Sequence, residues 1–531
     1  MSTRNPAGAA SFIPAEAERF GALQRTLVDR WLHIQDIDTG PKDIVIVPSL
    51  SLAGLSMARI PGITHYEERM LFALTLLRHP RAHLVYVTSQ PLHPATVDYH
   101  LSLLQGIPTA HVRERLTLLS AHDGSPRPLT EKILERPRLL ERIRRSIHPD
   151  QAHMTCFSVS MLEARLAIEL GIPLYGVSPD RLHFGTKSGS RAAFREAGVR
   201  VAAGVEGVRD ELEVAEAIAE LWTQDPGLRR VVIKHEEGFS GEGNAVLSLE
   251  GLSELAPGRP LAPSRRVQGL RGALSGIRSG ATYETWEKFG ARLEELGGVV
   301  EAFIEGARKR SPSAQLRINP RAELECMSTH DQLLGGPDGQ VYEGCIFPAD
   351  AAYRLAIQED GRKVGEVLRR GGVIGRFGVD FVGVEREEEP GRWDHYAIEI
   401  NLRMSGTTHP LMMLRMLNDG AYDPATGLYR TRRGEALSYV ATDTMRAESY
   451  RGLLVEDLFD IAAVHQLHYR PWTDTGVIFH MTGALSEHGK VGVTAIGASP
   501  DEARRWFEAT RDCLDRETAP SAPMPPPSEV A

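Results

Sequence analysis

The run IEINLR (398–403) places Glu399, Asn401 and Arg403 at intervals of two. In an extended strand alternate side chains share a face, so these three stand together, with Ile400 and Leu402 on the other side. Asp380 lies on a preceding strand-like run, RFGVDFVGV (376–384). Two carboxylates and an amide oxygen are hard oxygen donors. They suit Mg²⁺, which keeps waters and shares substrate phosphates. They do not suit zinc, which takes imidazole or thiolate. Arg403, two residues beyond, can meet a phosphate as a planar fork. A salt-bridged hairpin without function would carry the same residues, so the pattern alone leaves both readings open.

A second group is Lys234, at the end of RVVIKHE (230–236), followed by Gly238, Ser240, Gly241 and Gly243. The lysine is a point charge, and a Gly/Ser loop lets backbone N–H groups approach phosphate oxygens. A plain hairpin turn fits the glycines equally well. The spacing is not that of a P-loop, and no helix follows as a dinucleotide fingerprint requires. A third element, VVEAFI (299–304), carries Glu301 and Ile304 and ends at Glu305-Gly306. A strand running into a turn between lobes can offer backbone N–H and C=O groups to an adenine edge; an ordinary strand end looks the same.

These residues need elements to hold them. Residues 1–42 read as a polar lead with one amphipathic helix (Phe20, Leu23, Leu27, Trp31 and Leu32 at helical spacing). From 43 to 180, strand runs DIVIVPS, HLVYVTS, LTLLSAHD, MTCFSVS and PLYGVS alternate with helical stretches, one near 66–77. That alternation implies an α/β domain with a parallel sheet. A second α/β and α+β region, 181–435, holds all the candidate residues. Within it, 257–283 reads as a long loop with five arginines and no acid, free in solvent or ordered by an acidic substrate. The runs flanking the acidic turn EREEEPGR predict an antiparallel hairpin. A smaller α+β piece covers 436–516, and the Pro-rich tail 517–531 is expected to be disordered.

Composition narrows the class. The 531 residues suffice for three or four domains. A net charge of −9 argues against a nucleic-acid binder, whose affinity comes from phosphate neutralisation. Four scattered cysteines fit neither a disulfide scaffold nor a thiolate zinc site. No apolar run is long enough to span a membrane, and no secretory leader is visible. A cytoplasmic enzyme is the expectation.

Taken in order, the pieces become specific: Lys187 opening a helix that ends A-G-V, Lys234 before a glycine loop, VVEAFIEG, GVDF, then EINLR. This succession resembles the ATP-grasp superfamily of carboxylate–amine ligases over about 181–410. The flanks, including GVIFHMTGALSEHGKVGVTAIG (476–497), resemble pheganomycin-type peptide ligases. The resemblance implies a Rossmann-like N-terminal domain, a two-lobed ATP-grasp fold and a small α+β C-terminal domain. It implies an ATP-dependent ligase that forms an amide through an acyl phosphate, in peptide natural-product biosynthesis.

By the same resemblance Lys187 and Lys234 hold the α- and β-phosphates, the 238–244 loop closes over them, and Glu301 and Ile304 read adenine. Asp380, Glu399 and Asn401 bind two Mg²⁺, which Mn²⁺ can replace, and Arg403 steadies the phosphoryl group. The partners implied are a small carboxylate and an amino-acid or peptide amine, with homo-oligomerisation left open. His330, Asp331, Gln332 and His409 are candidates for lining the acyl site or are satisfied structurally; His480 and Met481 read as core or interface. Two departures stand out. Asp380 occupies a position where many members carry Glu, and Ala307-Arg308 replace the ribose-contacting acid. A non-catalytic regulatory protein, a carboxylate kinase and a ligase for a non-peptide amine are the alternatives.

Overall fold

The computed structural model describes residues 12–35, 41–51, 57–238, 243–277, 285–335 and 341–519. Five parallel strands, β1 (Lys42–Val47), β2 (Ala82–Thr88), β3 (Leu116–Ser120), β4 (Ala152–Cys156) and β5 (Leu174–Tyr175), lie in the order β3-β2-β1-β4-β5. Their near-continuous apolar runs are what a sheet covered on both faces requires. The strand order reverses between β1 and β4, so the carboxyl ends of those strands flank a crevice. The single amphipathic helix expected near the start is two, Pro14–Arg25 and Leu27–Gln35. The helix expected at 66–77 is a 3₁₀ segment, Ile63–Arg78. Runs of that kind are usually short; this one is buried over most of its length and carries Glu67, Glu68 and Arg69 into the interior.

Four antiparallel strands follow: β6 (Gly204–Val208), β7 (Arg230–His235), β8 (Asn244–Ser248) and β9 (Gly298–Ala302), in the order β6-β9-β7-β8. Helices Glu211–Gln224, Pro263–Leu274 and Trp286–Leu296 build their core with Ile218, Trp222, Leu270 and Phe289. The long arginine-bearing loop is thus corrected, because 263–274 is helical. Pro263 sits at the helix start, where its missing N–H costs nothing. Leu270 and Leu274 anchor the helix, while Arg266 donates to the Leu255 carbonyl and Arg271 to Glu211. These arginines therefore already have protein partners. Residues 278–284 of that stretch lie outside the described residues.

The remaining strands form one antiparallel sheet of eleven. They are β10 (Lys309–Arg310), β11 (Pro312–Ile318), β12 (Leu324–Gly335), β13 (Val341–Phe347), β14 (Gly375–Glu385), β15 (Trp393–Asn401), β16 (Ala421–Asp423), β17 (Leu428–Arg430), β18 (Ala436–Arg446), β19 (Gly476–His480) and β20 (Lys490–Gly497). Helix Arg354–Arg370 packs on it through Ile357, Val364 and Leu368. β13 pairs with β18, so the last segment continues this sheet edge to edge. Sequence pattern does not foresee β18: ALSYVATDTMR is buried along almost its whole length, which removes the alternation that marks a half-exposed strand. Among the described residues no helix is long and apolar enough to cross a membrane.

Candidate active site

β14 and β15 form the expected hairpin, and its register sets Asp380 opposite Glu399 and Gly378 opposite Asn401. The pairing slips one residue beyond Asp380, a bulge of the kind that re-aims side chains. Ile400 and Leu402 enter the core beneath, which fixes Glu399 and Asn401 on the other face. Asn401 Nδ2 donates to Asp380 Oδ2 at 2.9 Å, and Arg403 donates to the Asn401 side-chain oxygen. Lys187 Nζ lies 2.9 Å from Glu399 Oε2.

Lys187 begins helix Lys187–Glu196, capped by the Thr186 hydroxyl, which accepts from the Gly189 N–H. The helix start is tied to the end of β7: Lys187 N–H donates to the Glu236 carbonyl at 3.1 Å, and Ser188 N–H donates to Glu236 Oε2 at 2.9 Å. Lys234, two residues back, turns its ammonium to Glu301 Oε2 at 2.6 Å, while Arg191 Nη1 holds Glu301 Oε1 at 2.7 Å. Arg191 also pairs with Glu206. Helix Lys187–Glu196, which carries both Lys187 and Arg191, packs against β15 and β9 and so sets the two clusters beside one another.

Burial first, and then the charge of Glu399, push the Asp380 carboxyl up to about 7 against the pull of Arg403 and Lys187. Burial pushes Glu399 the same way, but Lys187 and Arg403 outweigh it and hold this carboxyl below its ordinary range. Glu301 behaves likewise: burial raises it, and Lys234 with Arg191 prevails and lowers it. Two opposed, half-buried carboxylates repel, and a divalent cation between them removes the conflict. Asn401 adds an amide oxygen, here held by Arg403, and the donor set fits Mg²⁺.

The structure therefore brings together Asp380, Glu399, Asn401, Arg403 and Lys187, with Lys234 and Glu301 across from them. Gly238 and Gly243 bracket the β7–β8 turn, whereas Ser240 and Gly241 lie outside the described residues. Ile304 follows β9, and its carbonyl accepts from Lys309 Nζ at 2.9 Å. Arg191 and Glu206 carry no local signal in the sequence, because Arg191 meets Glu301 only through the fold and Glu206 enters the network through Arg191. The histidine candidates lie in the interior, each bonded through one ring nitrogen while the other, His330 Nδ1 and His409 Nε2, finds no partner among the described residues. His330 is fully buried and bonded to the Tyr439 hydroxyl, and His409 Nδ1 donates to the Arg69 carbonyl at 3.1 Å. Asp331 Oδ1 accepts from Tyr353 at 2.6 Å, and Gln332 N–H donates to the Ser311 carbonyl.

Two antiparallel lobes, Lys234 on one and an acid-x-Asn-x-Arg strand on the other, with Lys187 on a helix packed against that strand, define an ATP-grasp enzyme. A family model described as IQCH-like ATP-grasp matches residues 181–256 and 273–425, and one described as the PGM1 C-terminal domain matches 457–510. L-propargylglycine–L-glutamate ligase of Streptantibioticus cattleyicolor is 32% identical over 503 residues, covering 93% of this chain and 98% of that protein. IQ motif-containing protein H of Danio rerio is 24% identical over 454 residues, 77% of this chain and 42% of that protein. A solved Campylobacter jejuni biotin carboxylase shares the fold with a TM-score of 0.54 at 13% identity, over 90% of this chain and 95% of its own. An N5-carboxyaminoimidazole ribonucleotide synthetase does so with 0.50 at 14%, over 91% and 99%. The chain belongs to the ATP-grasp family of ligases, alongside the Streptantibioticus enzyme.

Proposed function

We propose that this protein joins the carboxylate of one amino-acid-like substrate to the amine of an amino acid or peptide, at the expense of ATP, in peptide natural-product biosynthesis. The observation that carries this reading is the Asp380–Glu399–Asn401 donor set, ion-paired through Glu399 to Lys187 and within the field of Lys234. A carboxylate is a poor electrophile. Its oxygen attacks the γ-phosphorus of ATP, the bond to the β-γ bridging oxygen breaks, and ADP leaves. The amine then attacks the acyl carbon, phosphate departs with the bonding pair, and the amine proton passes to solvent.

Such phosphoryl transfer needs positioning and charge neutralisation rather than covalent help from the protein. Lys187 and Lys234 neutralise α- and β-phosphate oxygens. Glu399, Asp380 and Asn401 would hold divalent cations, two Mg²⁺ or Mn²⁺, which would supply Lewis-acid charge to the phosphates. Arg403 steadies the transferring group. Glu301 positions Lys234 through their ion pair, and the strand end from Glu301 to Ile304 reads adenine with backbone groups. The turn bracketed by Gly238 and Gly243 covers the phosphates and keeps water from the acyl phosphate. In this reading 43–180 and 436–516 act as flanking domains to an ATP-grasp body, 181–435. Four free cysteines suit a reducing cytoplasm.

Incubating the protein with Mg-ATP, L-glutamate, L-propargylglycine and a panel of other L-amino acids tests the proposal. ADP, phosphate and a new amide by mass spectrometry are expected for at least one pair. AMP as the nucleotide product, or ADP without an amide from any pair, overturns it.

A further inference from the structure

One buried cation lies beside this centre and takes no part in the mechanism above. Arg69, on the 3₁₀ segment of the first domain, is 5% exposed. Its guanidinium stacks between the rings of Tyr66 and Phe157, 4.5 and 4.1 Å from their centroids. Nη1 meets Asp443 Oδ2 at 3.2 Å, and Nε leans on the Tyr66 carbonyl at 3.4 Å. Nη2 has no protein acceptor among the described residues. Asp443 is held in turn: His480 Nε2 donates to its other oxygen at 2.9 Å, and His480 stacks on His409, whose Nδ1 donates to the Arg69 carbonyl.

This cage abuts the reacting end of the ATP-grasp site. The Phe157 carbonyl accepts from the N–H of Met404, the residue after Arg403, at 3.0 Å. Phe157 also follows β4 directly, at the crevice where the first sheet reverses its order. The charge of Arg69 opposes that of Arg403. A planar fork fixed by an acid and two rings, with an N–H group left over, is the arrangement that recognises a carboxylate.

We propose that Arg69 binds the carboxylate of an amino-acid substrate that stays free in the product, and that Asp443 and His480 are positioning residues holding it for that task. The assignment rests on the ligase reading above and deepens it. It also gives the C-terminal segment a part in substrate selection, since Asp443 and His480 come from β18 and β19. An anion here could instead be the terminal phosphate of ATP, and the experiment separates the two.

For an amino-acid pair that the wild type accepts, KM is measured for each partner, for its carboxamide and for ATP, in the wild type, Arg69→Gln, Arg69→Lys and Asp443→Asn. The wild type should prefer one acid over its amide. Arg69→Gln should raise the KM of that acid about 10- to 100-fold, the worth of a charge-assisted hydrogen bond, and erase the preference. Arg69→Lys should restore part of it, Asp443→Asn should weaken it less, and the KM for ATP should hold. Preference for acid over amide unchanged in Arg69→Gln, or a rise confined to the KM for ATP, overturns the assignment. A calorimetric arm needs no turnover: binding of L-glutamate and L-propargylglycine, each against its carboxamide, to the wild type and to Arg69→Lys, which keeps the buried charge and hence the fold. Carboxylate-dependent binding that weakens in Arg69→Lys supports the role, and binding indifferent to the carboxylate or to residue 69 overturns it. Loss of turnover in the wild type would instead count against the ligase reading.

Discussion

Glu399 is paired to Lys187, and in the proposed function it also holds a divalent cation, which makes it the residue whose charge matters most. Glu399→Gln keeps its shape and removes that charge. We expect ligation to fall about 10²–10³-fold, as when one preorganised charge-stabilising group is lost, with the fold retained by circular dichroism. Asp380 predicts a pH signature. Its carboxyl is raised to about 7, against about 3.9 in an unfolded chain, so the folded state holds the proton more tightly. Stability from this group is therefore present below pH 4 and is lost as pH rises toward 7, where the ionised pair repels. A bound cation reverses the loss. Stabilisation by Mg²⁺, read as the shift in Tm, should grow from pH 5.5 to 8, and Asp380→Asn should flatten that growth; a shift independent of pH in the wild type would exclude this origin. Glu301 makes the complementary case. Glu301→Gln strands Lys234 as a buried cation and leaves Arg191 with Glu206 alone, and breaking such a network costs about 3–5 kcal/mol by denaturant unfolding. The grouping of Glu399 and Asn401 is legible in the sequence because an alternating strand displays them together. Arg191 and Asp443 are not, because each works through a partner far along the chain.

Elements place these charges to within a hydrogen bond, and glycine sets one of the closest approaches. At Gly298 a Cβ would collide with the Lys234 carbonyl and the Leu293 side chain, since β9 and β7 pair tightly there. Gly298→Ala should cost about 1–3 kcal/mol through overpacking. It should also raise the KM for ATP, because the strand that must shift carries Lys234; unchanged ATP kinetics in a destabilised variant would detach Lys234 from nucleotide binding. Strands with a clean pattern, such as β7 and β15, are legible from their residue order alone. The helix Pro263–Leu274 is not: five arginines and no acid over 257–283 look like solvated chain, and what makes the segment helical is the burial of Leu270 and Leu274 in the core shared with helix Glu211–Gln224. β18 hides because buried polar residues, Ser438, Thr442 and Asp443, interrupt the apolar run that marks a strand covered on both faces. Pattern reports apolar burial, so it is silent where polar groups are buried and misleading for elements held by a few anchors.

At the scale of the molecule, the first and last segments share one interior. Ile46, Leu71 and Tyr86 of the first segment pack in the same cluster as Phe347, Tyr439, Ile478 and Ile496. Polar ties stitch the same surfaces: Thr96 to Thr482 at 2.6 Å, the Phe479 N–H to the Tyr99 hydroxyl at 3.0 Å, and Lys490 to the Tyr66 hydroxyl at 2.6 Å. A domain that folds alone owns its core; here the first sheet owns one of its two cores, and the other is shared with the middle and end of the chain. Ending the chain after Leu453 would remove β19, β20 and helix Pro500–Glu517, and leave β18 with an open edge above exposed apolar side chains. We therefore expect that truncation to yield aggregated protein or a first sheet that no longer melts cooperatively, rather than a smaller active ligase. In the intact chain, hydrogen exchange should show β1, β2 and β20 opening together, because none can leave the shared core alone. If β20 exchanged well before β1 and β2, the C-terminal segment would be an appendage, and its hold on Arg69 through Asp443 and His480 would have to be sought in the bound state alone.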